Sequence, residues 1–339
     1  MITIDGSFGE GGGQIVRSSL ALSLITGKPF RIENIRAGRK KPGLSRQHST
    51  AVAAAAQVGD ADVRGNAIGS QSVFFAPRSI NAGDYHFSIG TAGSTSLVLQ
   101  TILPALLIAD KPSRITLEGG THNPFAPPFS FLEKVFVPIV NRMGPRIAME
   151  LQRPGFFPAG GGLVAVTVTP RAKLDRIDII ERGKIVRRSA TALVAHLPEE
   201  IGHRELKVIG DRLSWSRERL EVITVQNSRG PGNAVIIEIE SEYITEMLTA
   251  FGRKGLPAER VPLAIAEEAR QYLEAGVPVG RHLADQILIP MALAGGGTFK
   301  TLPMTLHATT NMEVLKAFLD IDIAVKKLDK REYEVTIIS

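Results

Sequence analysis

RHLADQILIPMALAGGGTFKTLPMTLHATTN, from Arg281 to Asn311, is the third use of a pattern that the chain has already used twice. The first runs from Gly11 as GGGQIVRSSLALSLITGKPFRIENIR, the second from Gly90 as GTAGSTSLVLQTILPALLIADKPSRITLEGG. Each opens on glycines or charges, continues as an apolar helix of roughly three to four turns, and passes through a turn into a short β-branched strand. Aligning the turns Gly27-Lys28-Pro29, Asp110-Lys111-Pro112 and Gly296-Gly297-Thr298 puts Arg17, Gln100 and Gln286 at matching positions, about one turn into their helices. Pro104 and Pro290 each follow a glutamine by four residues and cannot donate to its carbonyl. That pattern suits two carbonyls kept free for a ligand, or two kinked core helices with a polar end. On this register Thr301 to Thr305 is the strand of the third copy. His307 follows it as the best nucleophile candidate in the chain.

At 339 residues the chain exceeds one ordinary core, so two or more units are expected. A hydrophobic content of 44% with 33 glycines reads as a soluble, compact α/β protein. The longest apolar run, around Leu97 to Ala109, is broken by Gln100 and Pro104, so no membrane span is expected. Met1-Ile2-Thr3-Ile4-Asp5 lacks the basic region of a signal peptide. The absence of cysteine excludes disulfides, thiolate metal sites and cysteine nucleophiles, and a cytoplasmic home is expected. A net charge of +6 and a sequence pI of about 9.6 suit a polyanionic partner.

Ile2 to Asp5 reads as a strand leading into Gly9-Glu10-Gly11-Gly12-Gly13, a loop whose N–H groups can approach an anion at a helix start. It is neither a nucleotide P-loop nor a dinucleotide fingerprint. Glu10 would repel a phosphate, so it either meets one through a divalent ion or is an exposed turn carboxylate. Beyond a strand from Phe30 to Ile35, the residues Arg36, Arg39, Lys40, Lys41 and Arg46 crowd a loop interrupted by Gly and Pro. An alanine-rich helix to about Val58 follows. Guanidinium forks match phosphate oxygens, which makes Arg36 and Arg39 candidate grips on a phosphorylated substrate; a solvated basic loop is the plainer reading. Val73 to Ala76 and Tyr85 to Ile89 read as a strand pair. After the strand Arg114 to Glu118, Pro127 and Pro128 either wall a base or start the helix Phe129 to Met143. Leu163 to Val168 alternates as an outer strand.

From about Glu181 to Gly276 the chain is richer in charge and carries its only tryptophan, Trp215. Strands are expected at Ile185 to Ala195, Leu220 to Gln226, Ala234 to Glu240 and Thr245 to Gly252, with helices at Glu199 to Leu213 and Pro257 to Ala275. The second and third repeat turns are farther apart than the first and second by roughly this segment's length, the scale of a small domain. We therefore expect an inserted α/β domain at 181–276 within a larger one made of 1–180 and 277–339. Phe251, at the end of its last strand, packs locally or reaches the main site.

Gly9-Glu10-Gly11-Gly12-Gly13-Gln14, Arg36-Ala37-Gly38-Arg39, Pro42-Gly43-Leu44, Arg46-Gln47-His48, Leu99-Gln100-Thr101 with Leu103-Pro104, Leu283-Ala284-Asp285-Gln286, and His307 with Thr310-Asn311 follow one another in the chain. Together, over essentially its whole length, they resemble the RNA 3'-terminal phosphate cyclases. The resemblance implies an α+β fold of three repeats, each a four-stranded sheet with two helices, plus the smaller insert. Enolpyruvyl transferases and a translation-initiation-factor domain share that repeat.

The resemblance also implies an ATP-dependent enzyme of the ligase class. A ring nitrogen of His307 attacks the α-phosphorus of ATP, giving histidine-AMP and pyrophosphate; AMP passes to an RNA 3'-phosphate; the 2'-hydroxyl then expels AMP and leaves a 2',3'-cyclic end. A neutral imidazole is nucleophilic near pH 7, and its phosphoramidate is labile enough to pass AMP on. The implied ATP-binding residues are Gln100, Pro127, Phe251, His282, Leu283, Ala284, Asp285 and Gln286, with Pro127 and Phe251 flanking the adenine. Arg17, Arg36, Arg39, Gln47 and His48 are implied for phosphate and RNA, and Glu10 for a divalent cation, magnesium or manganese. The implied partners are RNA 3'-phosphate ends, with no membrane and no obligate protein partner; a homodimer is compatible. The sequence departs from many relatives at His282, where they have tyrosine, and at His122, where they have aspartate; Leu306 stands where some have cysteine. A non-catalytic relative working in ribosome assembly would lack the nucleophile. An enolpyruvyl transferase would not keep the histidine in that loop.

Overall fold

A computed structural model describes residues 1–338. In the first unit β1 (Ile2–Asp5) runs parallel to β2 (Phe30–Glu33) through the crossover helix α1 (Gly13–Thr26). Then α2 (Arg46–Gly59) leads to β3 (Asp62–Arg64) and β4 (Val73–Ala76), and the sheet order is β1-β2-β4-β3. Alternation puts Phe30, Ile32, Val73 and Phe75 on the covered face. Gly27 ends α1 in the left-handed conformation, φ 67°, that glycine adopts without strain. A capping box starts α2: the Ser45 hydroxyl bonds the His48 end of the first turn, and the His48 ring bonds back to the Ser45 N–H.

The second unit repeats the plan. It holds β5 (Asp84–Ser88), α3 (Thr95–Leu106), β6 (Ser113–Gly119), α4 (Phe129–Phe131), a π-helical turn at Leu132–Phe136, α5 (Val137–Arg142), β7 (Arg146–Arg153) and β8 (Gly162–Thr169), with sheet order β5-β6-β8-β7. The π turn has a local cause. Pro138 has no N–H to give the ladder, and the Val137 N–H reaches back to the Leu132 carbonyl. Two expectations are corrected here. Val73–Ala76 and the strand at Asp84–Ser88 are not partners, because the chain between them turns across the end of α2, where Arg78 N–H meets Gly59 O at 2.9 Å, and enters a second sheet. The strand at Gly162–Thr169 is interior, since Arg146–Arg153, whose charges disguise its alternation, takes the edge.

Residues 185–275 build β9 (Ile185–Ala195), α6 (Glu200–Leu213), β10 (Leu220–Val225), β11 (Gly232–Ser241), β12 (Thr245–Phe251) and α7 (Leu263–Ala275). The sheet order is β10-β9-β11-β12, and a buried cluster around Trp215, Ile237 and Tyr272 fills the space under α6 and α7. The expected helix from Pro257 is broken: Ala258–Arg260 is a 3₁₀ turn, and Pro262 delays the α-helix to Leu263.

The third unit comprises α8 (Arg281–Leu293), β13 (Gly296–Thr301), α9 (Leu306–Phe318), β14 (Asp322–Lys327) and β15 (Tyr333–Ile338). Its sheet has three continuous strands, β13-β15-β14, rather than four. The place of the fourth is shared by two isolated residues that bridge β13 in parallel, Ile179 to Phe299 and Val279 to Thr301. The expected strand at Thr301–Thr305 is also corrected. Gly296 and Gly297 (φ 104° and 147°) begin the strand instead of forming the turn, because a Cβ on either would strike a backbone carbonyl, Ile337 O or Ile177 O. His307 therefore lies in the first turn of α9, after the N-cap Thr305, whose hydroxyl accepts from Ala308 N–H at 3.2 Å. Helix α1 is central to the helical layer, packed against α2, α3 and α9, while α8 packs on α9.

Candidate active site

The N-terminal halves of α1, α3 and α8 meet the first turn of α9. Gln14 is the hub: its Nε2 donates to Asp285 Oδ1 at 2.5 Å, and its Oε1 lies 2.6 Å from His307 Nδ1. A carboxylate only accepts, so the Gln14 amide is oriented with its oxygen toward the histidine. Nδ1 of His307 must then carry the proton, which leaves the Nε2 lone pair free on an exposed ring. Asn311 donates to the same Asp285 oxygen at 3.0 Å and to the Asp285 carbonyl at 3.2 Å, and Ser18 holds Asn311 at 2.7 Å. Burial pushes the Asp285 carboxyl up. The bonds from Gln14 and Asn311 and the positive charge of Arg17 act against that shift.

The repeat register is visible in side-chain contact. Gln100 donates to Gln286, and Gln286 donates to Asp285 Oδ2 at 3.1 Å. These residues line a crevice of about 50 Å³ together with Arg17, Pro104 and Pro290. Arg17 is partly buried, and none of the described residues hydrogen bonds or ion-pairs its guanidinium. Desolvation lowers its pKa to about 10, opposed by Asp285 and Glu10, so it stays charged at neutral pH. Arg36 donates to Gly43 O at 2.7 Å; burial and the like charge of Arg39 lower its pKa, again against Glu10. Three guanidinium groups thus share one neighbourhood with two carboxylates, Glu10 and, beside Arg17, Asp285. This excess of positive charge suits a polyphosphate.

Glu10 is held from two sides. Arg39 bonds Oε1, and Thr310 on α9 accepts the Glu10 N–H at 3.0 Å. Glu10 Oε2 is buried without a partner. An orphaned carboxylate oxygen beside guanidinium groups fits a single protein ligand of a divalent ion. Among the described residues no three His, Cys, Asp or Glu side chains gather around a common point, so Glu10 would act alone.

The remaining candidates divide. Gln47 Oε1 accepts from Ser94 N–H at 2.6 Å and so caps α3, and His48 is buried beneath Gly13 with Nδ1 bonded to Ser45. Leu283 and Ala284 are buried in α8, whereas His282 is exposed beside Glu268, 3.8 Å away, and does not line the crevice. The Pro127 carbonyl accepts from Ser96 at 2.6 Å, which ties its loop to α3. Phe251 packs against Phe156, Ala195 and Ala234; Phe156 stacks on His122 of the Pro127 loop, centroids 5.2 Å apart. Sequence reasoning gave no role to Gln14, although it lies one turn before Arg17. Nor did it single out Phe8 and Phe125, exposed on the loops of Glu10 and Pro127; nothing in their local pattern marks them.

A family model described as RNA 3'-terminal phosphate cyclase matches residues 8–325. The chain belongs to that family. It is 51% identical to the RNA 3'-terminal phosphate cyclase of Ectopseudomonas mendocina over 97% of this chain and 96% of that one. It is 49% identical to that of Koribacter versatilis, over 96% and 92%. For that of Salmonella agona the figures are 47%, over 95% and 93%. The family model thus begins before the Glu10 loop and ends beyond α9, so it spans all the residues of the hub. Among the described residues no helix is long and apolar enough to cross a membrane.

Proposed function

We propose that the protein converts an RNA 3'-terminal phosphate into a 2',3'-cyclic phosphodiester, driven by ATP and passing through histidine-AMP at His307. The observation that carries this reading is the free Nε2 of His307, oriented through Gln14 by Asp285 beside three guanidinium groups. Nε2 attacks the α-phosphorus; the N–P bond forms, the P–O bond to the β-phosphate breaks, and pyrophosphate leaves. The ring then carries a positive charge, keeping its Nδ1 proton and donating it to Gln14 Oε1, and Asp285 stabilises it through the amide. An oxygen of the RNA 3'-phosphate next attacks the same phosphorus, and the N–P electron pair returns to Nε2. Finally the 2'-oxygen, losing its proton to solvent, attacks the 3'-phosphorus and AMP departs.

Arg17, Arg36 and Arg39 would neutralise the phosphates, while Gln47 and His48 brace the loops that present them. Gln100, Asp285 and Gln286 would hold the nucleotide, with Leu283 and Ala284 packed behind them. Pro127 and Phe251 are read as the adenine walls. The orphaned oxygen of Glu10 fits a divalent cation, which when bound would add positive charge at the phosphates. Phe8 and Phe125 offer faces on which unpaired RNA bases can stack. The reading of 181–276 as an insert is supported by Ile179 and Val279 occupying successive same-face positions on β13. The same reading implies a cytoplasmic enzyme without an obligate protein partner.

The test is an RNA oligonucleotide ending in a 3'-phosphate, incubated with ATP and either magnesium or manganese. The expected result is a terminal phosphate resistant to phosphatase, with AMP released and a 3'-hydroxyl oligonucleotide left unchanged. Absence of both AMP and a cyclic end with either metal would remove the reading.

A further inference from the structure

Helix α8 carries Asp285 and Gln286, yet no residue near its start can cap it: the sequence there is Val277-Pro278-Val279-Gly280. Its first N–H groups need partners. One comes from the insert. Glu246, on β12 and only 1% exposed, accepts from Gly280 N–H through Oε2 at 2.7 Å and from Met247 N–H through Oε1 at 3.1 Å. Gly280 has φ −77° and ψ 170°, which any residue adopts, so its backbone does not demand glycine. Space does. A Cβ there would lie 2.3 Å from Glu246 Oε2.

The rest of the seat also belongs to the insert. Tyr272 on α7 donates to Pro278 O at 3.0 Å with Arg182 over its ring, and His282 faces Glu268 on α7. About one turn further on, Asp285 and Gln286 bind Gln14, Asn311 and Gln100.

We propose that Glu246 is a positioning residue for adenylylation, the carboxylate through which the insert sets the first turn of α8 and with it Asp285 and Gln286. The inference rests on the reaction proposed above. Burial raises the Glu246 pKa to about 7, against the two N–H bonds and His282 and together with Glu268. The charged groups and tyrosine facing this region are His282 and Asp285 on α8, Glu268 and Tyr272 on α7, and Arg182. A charged carboxylate grips the N–H groups more firmly, so the KM for ATP in wild type falls as pH rises from 6 to 8.

The experiment measures transfer of label from α-labelled ATP to protein in a single turnover, with the KM for ATP, in Glu246→Ala, Glu246→Gln and Gly280→Ala. Glu246→Ala should raise the KM and slow labelling, each by about tenfold. Glu246→Gln keeps an oxygen for Gly280 N–H and should recover most of the rate while losing the dependence of KM on pH. Gly280→Ala displaces the carboxylate from the other side and should match Glu246→Ala, with the double variant no worse than either. It also keeps the test open should Glu246→Ala not fold. Variants that melt earlier yet label with wild-type KM and rate would overturn the positioning role. A wild type that takes no label would instead overturn the reaction itself.

Discussion

His48 and His307 stand in the first turn of the second helix of their repeats, each behind a hydroxyl N-cap, Ser45 and Thr305. Their chemistry is opposite. His48 is 7% exposed, its Nδ1 bonded to Ser45 and its Nε2 so near Gly13 that a Cβ there would fall 1.9 Å away. Burial, with the charges of Arg17 and Arg36, lowers its pKa to about 3 and keeps it neutral. His307 sits one helical position earlier, a rotation of about 100°, which turns its ring out of the core and toward Gln14. Residue type alone therefore does not separate a nucleophile from a cap; position within the turn does.

The comparison breaks first at the covalent step. His307→Ala should lose the AMP adduct by about 10⁴-fold or more, since among the described residues no other offers a free nitrogen in line with Gln14. His48→Gln should still form it. Electrophoresis of protein labelled from α-labelled ATP, followed by acid treatment, reads both. An adduct that persists in His307→Ala would reverse the two roles.

Asp285→Asn tests what makes His307 different. With an amide at 285, Gln14 can flip and offer its NH₂ to Nδ1, which moves the ring proton to Nε2. Removing the carboxylate of a directly bonded Asp–His pair costs about 10⁴ in rate. With Gln14 interposed, labelling should slow by about 10²- to 10³-fold while the KM for ATP changes less. A loss confined to KM would show that Asp285 serves the nucleotide alone.

The repeats were legible because helix period, turn chemistry and the spacing of Arg17, Gln100 and Gln286 are local signals. The strand at Arg146–Arg153 was missed because an edge strand buries little and its alternation is masked by charge. The turn at Gly296–Gly297 was misplaced because positive φ there serves close strand packing, which local sequence does not reveal. In the site, Arg36, Arg39 and His307 could be named from residue type and motif. Gln14 could not be given a role, since its significance lies in bonds to residues 271 and 293 positions away. The same holds for Glu246, which gains its meaning from a helix start that belongs to another unit.

The smallest expected effect concerns pH and stability. The folded-state pKa of His48 lies near 3 against an ordinary 6.5, so the unfolded chain takes the proton first as pH falls. Its contribution is therefore complete above pH 6.5 and is lost on acidification. Between pH 7 and pH 5.5 the loss is about 1 kcal/mol. His122, lowered to about 4 by burial, acts in the same direction. Glu205 and Glu246, both raised by burial to about 7, act in the other: their contribution is full below pH 4.5 and is lost as pH rises through 7. His48→Gln retains an acceptor for the Ser45 N–H but cannot titrate. From pH 7 to pH 5.5 its urea midpoint should therefore shift relative to wild type by the equivalent of about 1 kcal/mol in the variant's favour. Parallel profiles would mean that the His48 ring takes up its proton in the folded state as readily as in the unfolded one, and the contrast with His307 would then rest on geometry alone.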